Sequence, residues 1–292
     1  MQESHAPPIT IELTGGLGNQ LFQLSAAVVI SQRTSRQFKL DTLNLTLSAL
    51  PGVQRRRLHI GDLLKSDEVL SARKSLYQRF VAPRSMYLCE KGPVDDLIAR
   101  ISDSTLRLFG YFQRFQVAEG AYQDVIARLK LSSLANVILR SNSEARIAIH
   151  MRRGDYLNVK TQNYHGLIDQ AYFMDAVRYI SSVTGISSVI VVSDSPLEAS
   201  KLLLGPLTSE GFSVIPYSQQ SEWNDLGALA NSAAIVMSNS SFSWWGAYFA
   251  YKQHNAFVVA PNPWFASNNG VESSLLAKEW HQIQSNLGKK SL

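Results

Sequence analysis

Four times in this chain an apolar run of strand character stops at a polar loop, and that repetition restricts the fold more than any other feature. The loops are Thr14-Gly15-Gly16-Leu17-Gly18-Asn19, His150-Met151-Arg152-Arg153-Gly154-Asp155-Tyr156, Ser193-Asp194-Ser195-Pro196 and Ser238-Asn239-Ser240-Ser241-Phe242-Ser243. Helical spacing follows the first loop, with Leu21, Phe22, Leu24, Ala27, Val28 and Ile30 on one pattern over 19–33. A second amphipathic helix is predicted over 169–183, with Asp169 as its cap and Tyr172, Phe173, Ala176, Val177 and Ile180 inward. Further helices are predicted over 121–131, 197–204, 225–231 and 242–251. Strands are predicted over 9–13, 37–40, 106–109, 145–150, 188–192, 212–215, 233–237 and 256–259. Strand and helix alternate throughout, so the class is α/β with parallel sheets covered on both faces. Ligands in such sheets bind at the carboxyl ends of the strands, where all four loops fall.

A chain of 292 residues fits two domains better than one, and we divide it into 1–144 and 145–292. Cys89 stands alone, which excludes an intramolecular disulfide framework. The first ten residues lack a basic region and an apolar core, and no apolar run approaches the roughly 18 residues of a membrane span. The expectation is a cytoplasmic protein. The net charge of +5 is uneven: residues 1–145 hold 18 Lys and Arg against 13 Asp and Glu, and the rest is balanced. Arg55, Arg56, Arg57, Lys65, Arg73, Lys74, Arg79, Arg84 and Lys91 carry most of it. Such a stretch suits peripheral contact with the inner face of an anionic membrane or an anionic acceptor; a solvated helical face is the alternative.

Arg152 and Arg153 at a strand end make an anion receptor, because guanidinium donors match phosphate oxygens. Gly154 allows a tight turn and Asp155 can hold a guanidinium. A solvated ion-pair cluster is the other reading. Neither suggests a nucleic-acid surface. Gly16-Leu17-Gly18 begins a dinucleotide fingerprint, and Asp41 falls near the ribose-binding spacing. The third glycine is replaced by Leu21, which leaves a helix N-terminus with Asn19 and Gln20 exposed beside it. Ser193-Asp194 can either cap the next helix or offer a carboxylate to N1–H and the 2-amino group of guanine. Asn239, Ser240, Ser241 and Phe242 open a helix suited to phosphate or sugar, whereas Trp244 and Trp245 read as core and Trp264 as loop packing. No metal motif is present. A site without a metal neutralises diphosphate with arginine and backbone N–H groups.

Together, Gly15–Gln23, His150–Tyr156, Ser193-Asp194 and Ser238–Gly246 resemble the motif set of bacterial α-1,2-fucosyltransferases, glycosyltransferase family 11. His165-Gly166, Asn224-Asp225-Leu226 and 260–265 are similar as well. The resemblance implies a GT-B-like fold of two Rossmann-like domains facing a cleft, the first mainly for acceptor and the second for donor. It implies GDP-fucose as donor, inversion, no metal or other cofactor, and a glycan acceptor, lipid-linked forms included. By resemblance, Arg152 grips the diphosphate with Arg153 beside it. His150 contacts the nucleoside, and Ser193-Asp194 the guanine. Asn239, Ser240, Ser241 and Phe242 line diphosphate and fucose. Gly16 and Gly18 are counted with the donor-binding residues, and Asn19 reaches into the cleft from the other domain with a catalytic role. Two departures stand out. Gln23 is followed by Leu24-Ser25 rather than Tyr-Ala, and residues 156–168 lack the glutamate that related enzymes place there. The base is then Asp155 or His165, or none is needed on a dissociative path. Another fucosyl linkage, transfer to a protein hydroxyl, and a non-catalytic GDP-sugar or glycan binder are the rival readings.

Overall fold

The computed structural model describes residues 6–47, 57–83, 86–153, 166–218, 220–266 and 274–287. They form two compact units, residues 1–133 and 134–292. The first contains β1 (Ile9–Glu12), α1 (Leu17–Thr34), β2 (Phe38–Asp41), α2 (Leu43–Leu47), α3 (Ala72–Phe80), β3 (Tyr87–Cys89), α4 (Val94–Ala99), β4 (Arg107–Phe109) and α5 (Phe115–Leu131). Its sheet has the order β2-β1-β4-β3, with every pairing parallel. The helix α1 is buried along most of its length because it packs on both β2 and α5.

A charged cluster lies inside this unit. Asp41 accepts from Arg107 Nη2 at 2.5 Å, Ser75 Oγ at 2.7 Å, Arg79 Nη2 at 2.9 Å and the Leu43 amide at 2.9 Å. Glu12 Oε2 lies 3.2 Å from Arg107 Nη2. The dinucleotide spacing of Asp41 is therefore misleading: its carboxylate is buried and closed by protein donors, out of reach of a ribose.

The second unit contains α6 (Ala135–Ile138), β5 (Glu144–Met151), α7 (Gln170–Thr184), β6 (Ser188–Ser193) and α8 (Pro196–Ala199). A π-helical stretch (Ser200–Leu204) and α9 (Gly205–Ser209) continue it. Then come β7 (Ser213–Val214), α10 (Glu222–Ala230), β8 (Ser232–Val236), α11 (Ser241–His254), β9 (Phe257–Asn262) and β10 (His281–Gln284). The sheet order is β10-β9-β8-β5-β6-β7, again all parallel. The units divide after Ser133 rather than at 144/145 because α6 belongs to the second. A Cβ on Gly227 of α10 would lie 2.5 Å from the Val137 carbonyl, so only glycine permits this approach. Asn231 Nδ2 donates to the same carbonyl at 2.9 Å.

The α/β expectation holds, and α7 follows its sequence signals closely. Asp169 Oδ1 accepts from the Tyr172 amide, and Gly185 ends the helix in the left-handed region. Trp244 and Trp245 are core, as their pattern predicts, and Trp244 Nε1 donates to the Leu275 carbonyl at 2.8 Å. Burying side chains of this size contributes about 2–3 kcal/mol each. Among the described residues, no helix is long and apolar enough to cross a membrane.

Candidate functional site

The strand β5 sits between β8 and β6, so the loops that follow these three strands are neighbours at one sheet edge. That topology gathers His150, Arg152, Arg153, Ser193, Asp194, Asn239, Ser240, Ser241 and Phe242 from three separate stretches of chain. Asp194 organises the double arginine. Its Oδ1 accepts from the Arg153 amide at 2.8 Å, and its Oδ2 lies 3.0 Å from Arg152 Nη1. The Arg152 side chain remains 24% exposed and that of Asp194 21%.

The two arginines have different surroundings. Arg153 is buried, donates from Nη1 to the Ile168 carbonyl at 2.8 Å and lies 3.3 Å from Glu198 Oε1. Burial pulls its pKa down, while Glu198, Asp194 and Asp169 oppose the shift. Its guanidinium holds the loop from inside, whereas that of Arg152 is part-exposed beside Asp194. Ser193 also faces inward, its Oγ accepting from the Ser195 amide at 3.0 Å.

His150 is 3% exposed, and its Nδ1 pairs with Ser238 Oγ at 2.9 Å. Its ring lies 5.1 Å from that of Phe242. Burial lowers its pKa to about 4, with Asp194 opposing and Arg152 assisting the shift. The imidazole is therefore neutral at pH 7, and its polar edge is turned to Ser238.

The helix α11 begins beside these groups. Ser240 is its N-cap and makes no side-chain capping bond. The N–H groups of a first helical turn lack intrahelical acceptors and carry the positive end of the helix dipole, a favourable place for an anion. Asn239 is buried, with Nδ2 donating to the Trp264 carbonyl at 3.2 Å. Tyr172 Oη donates to the Met237 carbonyl at 2.8 Å and fixes the exit of β8 from below.

The first loop belongs to the other unit. Gly15 has φ +78°, and a Cβ there would lie 2.3 Å from Asn19 Nδ2, so this glycine makes room for the Asn19 side chain. Gly16 is the N-cap of α1, and Gly18 is buried in its first turn. Asn19 Oδ1 accepts from Gln113 Nε2 at 2.7 Å. Gln20, expected beside Asn19 at the surface, is instead buried. It donates to the carbonyls of Gly15 and Arg57 and accepts from the His59 amide. Gln23 ties the exits of β1 and β4 through the Thr14 amide and the Gly110 carbonyl. Asp155 and His165 lie outside the described residues.

Sequence reasoning missed Gln113, Ser238, Tyr172 and Glu198. Ser238 lies within one of the four polar loops, and that position is the signal that could have singled it out, although its partner His150 is 88 residues away. The other three act across long sequence separations that no local pattern reveals. Among the described residues, no group of three or more His, Cys, Asp or Glu is placed to hold a metal ion.

A family model described as Glycosyl transferase family 11 matches residues 3–284. An Escherichia coli alpha-1,2-colitosyltransferase is 25% identical, covering 94% of this chain and 99% of its own. The O-antigen biosynthesis glycosyltransferase WbnK of Escherichia coli is 26% identical, covering 92% and 98%. A galactoside alpha-(1,2)-fucosyltransferase 1 of Saimiri sciureus is 28% identical over 44% of this chain and 34% of its own. Among solved structures, POFUT1 in complex with GDP overlaps 87% of this chain and 97% of its own at 13% identity and a TM-score of 0.46, too loose to bear on function. With a family model spanning nearly every residue and three of the motif loops gathered at one sheet edge, the chain belongs to glycosyltransferase family 11.

Proposed function

We propose that this protein transfers L-fucose from GDP-β-L-fucose to O2 of a galactose residue on a glycan, with inversion to an α-1,2 linkage. The observation that carries the reading is Arg152: a part-exposed guanidinium at the end of the central strand, held by Asp194, two residues after His150, whose ring lies beside Phe242 in the first turn of α11. This arrangement suits a departing diphosphate. In the step we infer, the acceptor hydroxyl oxygen attacks the anomeric carbon on the face opposite GDP. The bond from that carbon to phosphate oxygen breaks, and negative charge grows on GDP where Arg152 and the helix N–H groups stabilise it. The hydroxyl proton passes to Asp155 or His165, or to solvent if departure runs ahead of attack. Ser240, Ser241 and Phe242 face donor phosphate and sugar, while the acceptor is held by the first unit, Asn19 included. No metal or cofactor is needed on this reading.

Replacing Arg152 with Ala should reduce turnover on the order of 10²–10³-fold, with GDP release followed in single turnovers and the product linkage assigned by NMR. Activity should persist in EDTA. Near-native turnover in the folded variant would sink the role of Arg152. A second donor deserves a place in the same assay because a relative spanning almost the whole chain is a colitosyltransferase. Colitose lacks the 3-hydroxyl of fucose. A site that hydrogen-bonds that hydroxyl rejects the deoxy sugar strongly, whereas a site that does not discriminates weakly. Turnover with the colitosyl donor alone would replace fucose in this proposal and leave the Arg152 mechanism standing.

A further inference from the structure

The helix α3 (Ala72–Phe80) is amphipathic with its polarity reversed. Ser75, Gln78 and Arg79 share one stripe, and that polar stripe faces the protein interior. Ser75 Oγ and Arg79 Nη2 both donate to Asp41 Oδ2, Arg79 Nη1 donates to Asn44 Oδ1 at 2.6 Å, and Gln78 Oε1 accepts from Arg107 Nη1 at 3.0 Å. The apolar stripe is left outside. Leu76 is 44% exposed, Tyr77 62%, Phe80 82% and the following Val81 60%. Arg73 lies on the same face, three residues before Leu76, and Arg73 and Lys74 are both exposed. Scattered apolar residues at a surface need no explanation, but a contiguous group with an aromatic pair at its centre marks a binding surface.

Residues 55–91 are rich in cations, but α3 sorts them. Arg79 is absorbed by the internal cluster with Asp41 and Glu12. Arg73 and Lys74 stay at the rim of the apolar stripe. An apolar face edged by cations matches an interfacial helix on an anionic lipid surface. A second copy of this chain matches less well, since residues 1–145 carry the entire net charge of +5 and would repel their like.

We propose that α3 is the element by which this protein rests on an anionic phospholipid surface, with Tyr77 and Phe80 entering the interface and Arg73 and Lys74 meeting headgroup phosphates. This docking is independent of the donor chemistry assigned to the second unit. The full chain is sedimented with vesicles of phosphatidylcholine alone or of phosphatidylcholine with phosphatidylglycerol. Partitioning should favour the anionic vesicles and weaken with salt. The pair Tyr77→Ser and Phe80→Ser should reduce it at least about tenfold, and Arg73→Gln or Lys74→Gln about fivefold each. Tyr77→Phe should retain binding, and all variants should keep wild-type circular dichroism and activity on a soluble acceptor, because these side chains are exposed. Three outcomes overturn the proposal. The wild type leaves anionic vesicles unbound, the serine pair binds as the wild type does, or α3 mediates a concentration-dependent dimer that the serine pair dissolves.

Discussion

Each unit of this protein contains an aspartate–arginine pair, and the two pairs do opposite work. In the first, Asp41 and Arg107 are almost completely shielded from solvent, at 1% and 0% side-chain exposure. The side chains of Ser75, Gln78 and Arg79 from α3 complete the enclosure. In the second, Asp194 and Arg152 lie beyond the ends of adjacent strands, and each keeps a fifth or more of its side chain in solvent. The chemistry of the partners is the same. Burial decides whether the arginine can only brace the fold or is also open to a ligand. A closed pair has no room for a ligand, while a half-open one holds its guanidinium in a fixed place and still presents it.

The largest break in that comparison should come from the closed pair. Asp41→Asn leaves Arg107 buried with Glu12 as its one charged partner among the described residues. It should reduce stability by about 3 kcal/mol, the lower end of the cost of breaking a buried pair. The pH dependence adds a second handle. Burial raises the pKa of Asp41, but the bonds from Ser75, Arg107, the Leu43 amide and Arg79 outweigh it, and the net shift is downward. Glu68 shifts down for the same kind of reason, with Arg128 as its chief partner. A lowered carboxylate pKa means that the stabilisation is complete above the unfolded value of about 4 and is lost as pH falls through the folded value. The first unit should therefore melt below about pH 4. All five tryptophans, Trp223, Trp244, Trp245, Trp264 and Trp280, belong to the second unit. Circular dichroism should report that loss below about pH 4, whereas tryptophan fluorescence follows only the second unit.

The second unit should respond to acid in a different window. His150 is held neutral, with its pKa lowered from 6.5 to about 4 by burial first, Asp194 opposing and Arg152 assisting. Between those values the unfolded chain takes up a proton that the folded chain refuses, so stability falls as pH drops through the window. The expected loss is about 2 kcal/mol between pH 7 and pH 5, read by fluorescence-monitored urea unfolding. His150→Gln should flatten this slope. An unchanged slope would show that His150 is not the group responsible, and the contrast between the units would then rest on the carboxylates alone.

The sequence makes the second unit far more legible than the first, and the reason is the range over which its signals act. Asp169, the apolar face of α7 and Gly185 lie within one helix, so local spacing reveals them. The loops after β5, β6 and β8 announce themselves through residue type, and parallel topology brings them together. The edge strands β3 and β10, three and four residues long, carry no apolar run bounded by turn residues and go unread. Asp41 misled because its spacing imitates a ribose-binding acid, while the arginines that close it come from 38 and 66 residues away. Gln113 meets Asn19 across 94 residues. Arg152 and Arg153 are neighbours of one type, and only the folded chain separates the part-exposed guanidinium beside Asp194 from the one turned to Ile168 and Glu198.

The smallest effect sharpens the comparison most, because it asks what Asp194 is for. As an orienter of Arg152, its charge matters more than its shape. Asn in its place keeps an oxygen for the Arg153 amide but loses the charge-assisted partner of Arg152. Such a change should lower turnover about tenfold, roughly 1.4 kcal/mol, with global stability altered by less than about 1 kcal/mol since the pair is part-exposed. As a reader of guanine, Asp194 would act differently. Two of the roughly four acceptor positions of a carboxylate are already used by the arginines, and the others can serve a base edge. The same substitution would then weaken GDP binding and reduce discrimination against ADP and UDP, with turnover at saturating donor little changed. Measuring turnover and nucleotide affinity on the same Asp194→Asn protein separates the two. A fall in turnover with unchanged GDP affinity makes this pair the working counterpart of the closed one, in which an aspartate holds an arginine still for a partner outside the protein.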